Sequence, residues 1–304
     1  MKKDFLSICD FSEQEILKTF ELTTSLKAFP REFKSALSGK TLALIFEKPS
    51  LRTRVSFDVG IHQLGGFALS LLPSEINLGK RESIHDVAKN LERMVQGIMI
   101  RTFAHQNVVD MAKHASIPVI NGLTDYSHPC QAMADYFTVQ EIKGALKGLK
   151  LCFVGDGNNV AHSLLFAGAR LGVHVTIACP IGYEPDPAAL RQAAEDARAT
   201  CARIEITHDP ADGVKNADVV YTDVWTSMGM EAEAEERREA FQPFQVNKEL
   251  MRRAKKNSIF MHCLPAHRGE EVTADVIDSE ASVVFQQAEN RLHVQKAIMA
   301  QLMK

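Results

Sequence analysis

From Lys40 onward the chain alternates short, β-branched apolar runs with longer stretches of helical periodicity. That alternation predicts βαβ units and a mainly parallel sheet. Strands are expected near TLALIF, FALSLL, GIMIR and IPVIN, and in a second series near LKLCFVGDG, VHVTIAC, ARIEIT, ADVVYTDV, NSIFMHCLP and SVVF. Ahead of both, Ser12 and Glu15 form a capping box before ILKTFELTTSLK, which predicts an opening helix packed outside the first sheet. The two series meet at EIKGALKGLK, where two glycines and three lysines separate the helix after His128 from the next strand. The expected fold class is α/β, with two domains that each hold a mainly parallel sheet flanked by helices. Open α/β sheets bind ligands outside the carboxyl ends of their strands, so the active site is expected in the interdomain cleft. The run EAEAEERREA reads as a solvated helix face.

Composition narrows the classes of function. At 304 residues, 45% hydrophobic and 24% charged, the chain can bury substantial cores. With 35 basic against 38 acidic side chains and a net charge of −3, it lacks the broad basic surface that drives nucleic-acid binding, while local basic pockets stay open to it. The start, MKKDFLSICD, has two lysines, then Asp4, and no sustained apolar run. Neither a secretory signal nor a membrane span is expected, and the protein is read as cytoplasmic. Cys9, Cys130, Cys152, Cys179, Cys201 and Cys263 are scattered without a CxxC pair, so they are expected to be reduced, and all but Cys263 to be packing residues.

Charge and chemistry gather at a few strand ends. In IFEKPSLRTRVSFDVG the strand stops near Phe46, Pro49 blocks its continuation, and a helix begins within SLRTR. Ser50 and Thr53 are expected to cap that helix while its free N–H groups point outward, which makes an anion site. Arg52 and Arg54 add guanidinium forks that suit a phosphate dianion better than a carboxylate. The alternative is a basic helix start paired with surface acids. GIMIRTFAH sets Arg101 at a second strand end, with Thr102 and His105 just after it. HPCQ places His128 and Gln131 three apart at a helix start, where both can face one ligand, although a lone His beside Pro also serves structure.

In the second half, GDGNNV lacks the third glycine of a dinucleotide fingerprint, Val160 standing in its place. The acidic ribose ligand expected about 20 residues on is missing as well, so NAD is not expected. The turn instead offers Asn158 and Asn159 as donors and acceptors. DVWTSMG presents Asp223, the only tryptophan and a Ser-Met-Gly turn after another strand. HCLPAHRGEE sets Cys263 at a further strand end, beside His262 and near His267. One Cys with two His lacks the paired spacing of structural zinc, so no metal is expected, whereas a Cys-His nucleophile stays open.

FEKPSLRTR, MIRTF, NGLTDYSHPCQ, GDGNNVAHS, TDVWTSMG, HCLPAHRGEEVT and AENRLH occur in the order found in ornithine carbamoyltransferases, and the resemblance covers essentially the whole chain. SxRTR and HPxQ belong to carbamoyltransferases in general, whereas SMG together with HCLP points to ornithine. The resemblance implies transfer from carbamoyl phosphate to L-ornithine, giving L-citrulline and phosphate, without metal or organic cofactor. It implies a carbamoyl-phosphate-binding domain at 1–145, joined by the C-terminal helix 288–304, and an ornithine-binding domain at 146–287. Ser50, Arg52, Thr53 and Arg54 look like the carbamoyl-phosphate loop, with Arg101 bridging phosphate and carbonyl, His128 and Gln131 meeting the carbamoyl group, and Arg291 returning to the same site. Asn159, Asp223, Ser227 and Met228 look like ligands of the ornithine α-amino and α-carboxylate groups. Cys263 and Leu264 line the point where the substrates meet; Arg101, His128, Cys263 and Asp223 are the catalytic candidates. Asn77 stands where relatives commonly have a glutamine that reaches a neighbouring subunit's phosphate, within a homotrimer or a multiple of trimers. Arginine biosynthesis is the expected role, with arginine breakdown as the alternative. Putrescine or N-acetylornithine is the alternative acceptor, and a non-catalytic receptor for an anionic amino acid the alternative class.

Overall fold

The computed structural model describes residues 2–76 and 78–304, the side chain of Glu231 excepted. Asn77 therefore lies outside the described residues. The chain divides into two compact units: unit 1 runs to Ala134 and takes back Glu289–Lys304, and unit 2 is Asp135–Ala288. Among the described residues no helix is long and apolar enough to cross a membrane.

Unit 1 is built on a four-stranded sheet in the order β2-β1-β3-β4. The strands are β1 (Thr41–Phe46), β2 (Phe67–Leu71), β3 (Gly97–Arg101) and β4 (Val119–Leu123), every pairing parallel. Strands inside a parallel sheet are covered on both faces and read as continuous apolar runs. TLALIF and GIMIR do so, and β3 is buried at every position. FALSL, at the sheet edge, keeps partly exposed positions. The strand expected at IPVIN begins two residues later, after Pro118, which has no N–H to give to a ladder, and extends into the NGL segment. Ile45, Ile98, Ile100, Met111 and Val119 share one core. The register sets Phe46 of β1 beside Arg101 of β3, so the two strands end level. Directly after β1, Ser50 caps the helix Leu51–Gln63 through its hydroxyl, which accepts from Thr53 N at 3.3 Å. Ser12 and Glu15 make the expected capping box at the start of the helix Glu13–Ala28.

Unit 2 holds a five-stranded parallel sheet in the order β7-β6-β5-β8-β9. Its strands are β5 (Lys150–Val154), β6 (His174–Ala178), β7 (Ile204–Thr207), β8 (Val219–Thr222) and β9 (Ile259–His262). The ends of β5, β8 and β9 are neighbours, and each is followed by one of the segments singled out in the sequence. Two expectations fail here. SVVF is not a strand: Ser282 makes only an isolated bridge to Phe260, and Val284 already opens the helix Val284–Leu302. EAEAEERREA becomes a 3-10 turn and the helix Ala234–Phe241, but it is not a wholly solvated face. Arg237 is 3% exposed, donates to Trp225 O at 2.6 Å, ion-pairs with Asp156, and lies over the rings of Tyr183 and Phe241. The remote carboxylate and the two rings make burial of this guanidinium tolerable.

Candidate active site

In unit 1 the cationic groups converge on Thr53. Its hydroxyl oxygen accepts from Arg291 Nη2 at 3.1 Å and from Arg101 Nη1 at 3.5 Å. Thr53 is therefore not a second cap, as the sequence reading had it; Ser50 alone fills that place, and at the third helical position Thr53 turns its side chain into the cluster. Arg291, 2% exposed, also donates through Nη1 to Gln131 Oε1. Gln295, with its amide oxygen turned toward Arg291, accepts from Nη2 at 2.8 Å and Nε at 3.1 Å. The guanidinium plane is thus fixed from several sides, which sets its orientation in the cluster.

His128 precedes the helix Pro129–Lys143, and its carbonyl accepts from Gln131 N at 3.1 Å, so the imidazole and the Gln131 amide leave the same first turn. Burial, helped by Arg291, Arg101 and Arg52, holds His128 well below the usual imidazole range, and the ring is neutral near pH 7. A neutral imidazole hydrogen-bonds a carbonyl without adding a further charge. Arg52 is half-buried, whereas Arg54 lies on the exposed face of the helix and is not brought to Thr53. Two residues along a helix are about 200° apart, so Arg52 and Arg54 face different directions. Lys48, 4% exposed, supplies a cation that the sequence reading passed over; it pairs with Asp125 and lies 4.2 Å from the centre of the Phe103 ring.

In unit 2 the ends of three adjacent strands meet at Asp223. This carboxylate, just after β8, accepts from Cys263 Sγ at 2.9 Å, from Asn158 Nδ2 at 3.0 Å and from Val224 N at 2.8 Å. Asn158 follows β5 and also caps the helix Asn159–Leu171, accepting from Val160 N and Ala161 N. Asn159 is the first residue of that helix, half-buried beside the cap. Ser227 is half-buried and Met228 exposed, in a turn closed by Met230 N donating to Ser227 O at 3.0 Å. Cys263 and Leu264 leave β9 in a turn whose Leu264 has φ +57. His262 holds that turn: its Nδ1 accepts from Leu264 N at 2.8 Å while Nε2 faces Glu271 Oε1 at 3.2 Å, both side chains fully buried. Glu271 Oε1 takes His267 N as well, at 2.6 Å.

Asp223, His262 and Cys263 offer ligand atoms within 4.8 Å of one another. The imidazole is spent on Leu264 and Glu271, and the thiol on Asp223, so a metal there would have to break bonds that hold the turn. His267 ion-pairs with Glu270 at 3.7 Å and leaves Cys263 facing a carboxylate rather than an imidazole base. Of the cysteines expected to pack, Cys130, Cys152 and Cys179 are buried with thiols pushed up to about 12, Cys9 is half-buried, and Cys201 is exposed at a helix C-cap.

The model of the carbamoyl-P binding domain of aspartate/ornithine carbamoyltransferase matches residues 3–141, and that of the Asp/Orn binding domain matches residues 147–302. The chain belongs to the aspartate/ornithine carbamoyltransferase family. Among carbamoyltransferases it is 58% identical to the ornithine carbamoyltransferase of Thermococcus kodakarensis over 99% of this chain and 96% of that one. It is 55% identical to a protein of Pyrococcus furiosus named as an anabolic ornithine carbamoyltransferase, over 99% of this chain and 96% of that one. A solved ornithine carbamoyltransferase structure from Pyrococcus furiosus superposes with a TM-score of 0.97 at 54% identity, covering 99% of this chain and 97% of that one. The carbamoyltransferase motifs led to Thr53, His128 and Asp223, but not to what holds them. Gln295 and Glu271 bond near neighbours in the chain, Arg291 and His267, but a glutamine or glutamate at that spacing reads as ordinary helix or turn surface, while the partner of Arg237, Asp156, lies 81 residues away.

Proposed function

We propose that the protein transfers the carbamoyl group of carbamoyl phosphate to the δ-amine of L-ornithine, giving L-citrulline and phosphate. The observation that carries this reading is the convergence of Arg101 and Arg291 on Thr53 beside Gln131 and a neutral His128. Residues 1–145 with 288–304 bind carbamoyl phosphate, and residues 146–287 bind ornithine. Ser50, Arg52, Arg101 and Arg291 hold the phosphate, with Arg54 adding charge from the exposed face; His128 and Gln131 hold the carbamoyl group. The δ-nitrogen attacks the carbamoyl carbon, a C–N bond forms, and the tetrahedral oxyanion is stabilised by Arg101, His128 and Thr53. One such preorganised donor is typically worth about 3–4 kcal/mol. The oxyanion then collapses, the C–O bond breaks, phosphate leaves with the electron pair, and the nitrogen loses its proton.

On the acceptor side, Asn159, Asp223, Ser227 and Met228 hold the α-amino and α-carboxylate groups, while Cys263 and Leu264 line the approach of the amine. The anabolic relative supports a role in arginine biosynthesis, and we place the protein in the cytoplasm. We further propose a homotrimer, or a multiple of trimers. Citrulline formation tested against an amine panel decides the acceptor. Ornithine is expected to react, and putrescine, which lacks both α-groups, and N-acetylornithine, whose α-amine is capped, are expected to lose most of kcat/KM. Equal rates across the panel would overturn the roles given to Asn159 and Asp223.

A further inference from the structure

Unit 1 carries a second cationic concavity, where the helices Glu13–Ala28 and Leu51–Gln63 end beside the middle of the helix Val284–Leu302. It is a cavity of about 610 Å³ whose basic lining is Lys27, Arg31, Lys34, His62, His293 and Lys296. His62 ends the helix Leu51–Gln63, so along that axis it lies about 14 Å from Thr53. Basic residues at helix C-termini often do no more than offset the dipole. Two helices end here, Glu13–Ala28 and Leu51–Gln63, each offering about half a negative charge. Glu289, 3.3 Å from His293, adds one carboxylate. Against these stand Arg31, Lys34 and Lys296, which leaves an excess of about one positive charge before Lys27 is counted.

The placement of these groups points the same way. Lys296 is 2% exposed and its ammonium donates to the neutral amide of Gln63 at 2.9 Å. Among the described residues neither Lys296, Arg31 nor Lys34 has a carboxylate within ion-pairing distance. An ammonium buried beside an amide alone is costly, and an anion recovers that cost. His293 Nδ1 is buried with no hydrogen-bond partner among the described residues. One wall is apolar, formed by Leu26, Phe33 and Leu64. The volume exceeds what a bare oxyanion fills and suits a dianionic head with an apolar body.

We propose that this cavity binds an organic phosphate monoester, with Arg31, Lys34 and Lys296 on the phosphate and the Phe33 wall against the organic group. The proposal does not rest on the transfer reaction. At Gly60 a Cβ would come within 3.2 Å of Lys296 Cγ and 3.0 Å of Met299 Cε, so the helix Leu51–Gln63 packs closely against the helix that carries Lys296.

Calorimetric titration of the full chain with phenyl phosphate, with inorganic phosphate in parallel, tests this. Two classes of phenyl phosphate site are expected. Arg52→Ala should weaken one and leave the other; the double variant Arg31→Ala/Lys34→Ala, both at exposed positions, should weaken the second at least about tenfold and spare the first. Added salt should weaken the second class as well. A single class abolished by Arg52→Ala, or a second class indifferent to Arg31→Ala/Lys34→Ala, would overturn the site. Inorganic phosphate binding the second class as tightly as phenyl phosphate would overturn the assignment of an organic ester.

Discussion

Thr53 shows how much one hydroxyl can organise. Its backbone N–H is taken by Ser50, and its side-chain oxygen accepts from two guanidinium groups brought in by β3 and the C-terminal helix. Two cations side by side repel unless a shared acceptor or an anion lies between them, and Thr53 is such a shared acceptor. Valine has nearly the same shape without the oxygen. Thr53→Val should therefore leave buried donors unpaired, at about 1–3 kcal/mol each, and lower kcat/KM by about a hundredfold or more. Thr53→Ser should restore most of both. Urea unfolding together with steady-state kinetics on the two variants checks this, and a valine variant as active as the serine one would remove Thr53 from the chemistry.

At the level of elements, the sequence was most legible where burial is complete. TLALIF and GIMIR are strands residue for residue, because an apolar run covered on both faces has no other comfortable state. SVVF has the same local character, yet Val283 N finds only Phe260 O and the chain turns at once into a helix; no neighbour continues the ladder. Arg237 and Thr53 escape a local reading for a related reason. Their partners, Asp156 and Arg291, are 81 and 238 residues away, and local periodicity carries no trace of them. The glycines of GDGNNV are informative in a way the nucleotide reading missed. A Cβ on Gly157 would fall 2.2 Å from Pro185 N and 2.4 Å from Glu184 C, so the turn is pressed against another backbone segment. Backbone cannot swing aside as a side chain can. Gly157→Ala should push apart the turn that carries Asn158 and loosen Asp223. KM for ornithine is expected to rise at least about tenfold, while equilibrium binding of carbamoyl phosphate to unit 1 stays as it was. An unchanged KM for ornithine would show that Asn158 does not position Asp223 for the amine.

Over the whole molecule a net charge of −3 coexists with a reaction that needs local positive charge and an uncharged amine, and pH separates these demands. A free alkyl amine with a pKa near 10.4 costs about 4–5 kcal/mol to deprotonate at pH 7, so log kcat/KM should climb with a slope of about one toward an alkaline plateau. His128 adds no inflection near its ordinary value, because burial and three arginines keep it neutral throughout that range. Asp156 acts lower down. Burial pushes its carboxyl up to about 6 against the pull of Arg237, so the ion pair that ties the GDGNN turn to the helix Ala234–Phe241 is lost as pH falls through that value. The linked stability runs the other way. A carboxyl whose folded pKa is raised from 3.8 contributes stability that is present below the unfolded value and lost as pH rises through about 6. Acidification from pH 7 to 5 should thus cost activity through Asp156 without a matching loss from this group in melting temperature. The kinetic profile should accordingly steepen beyond a slope of one below about pH 6, and a line flat from pH 6 to 9 would contradict rate control by the amine.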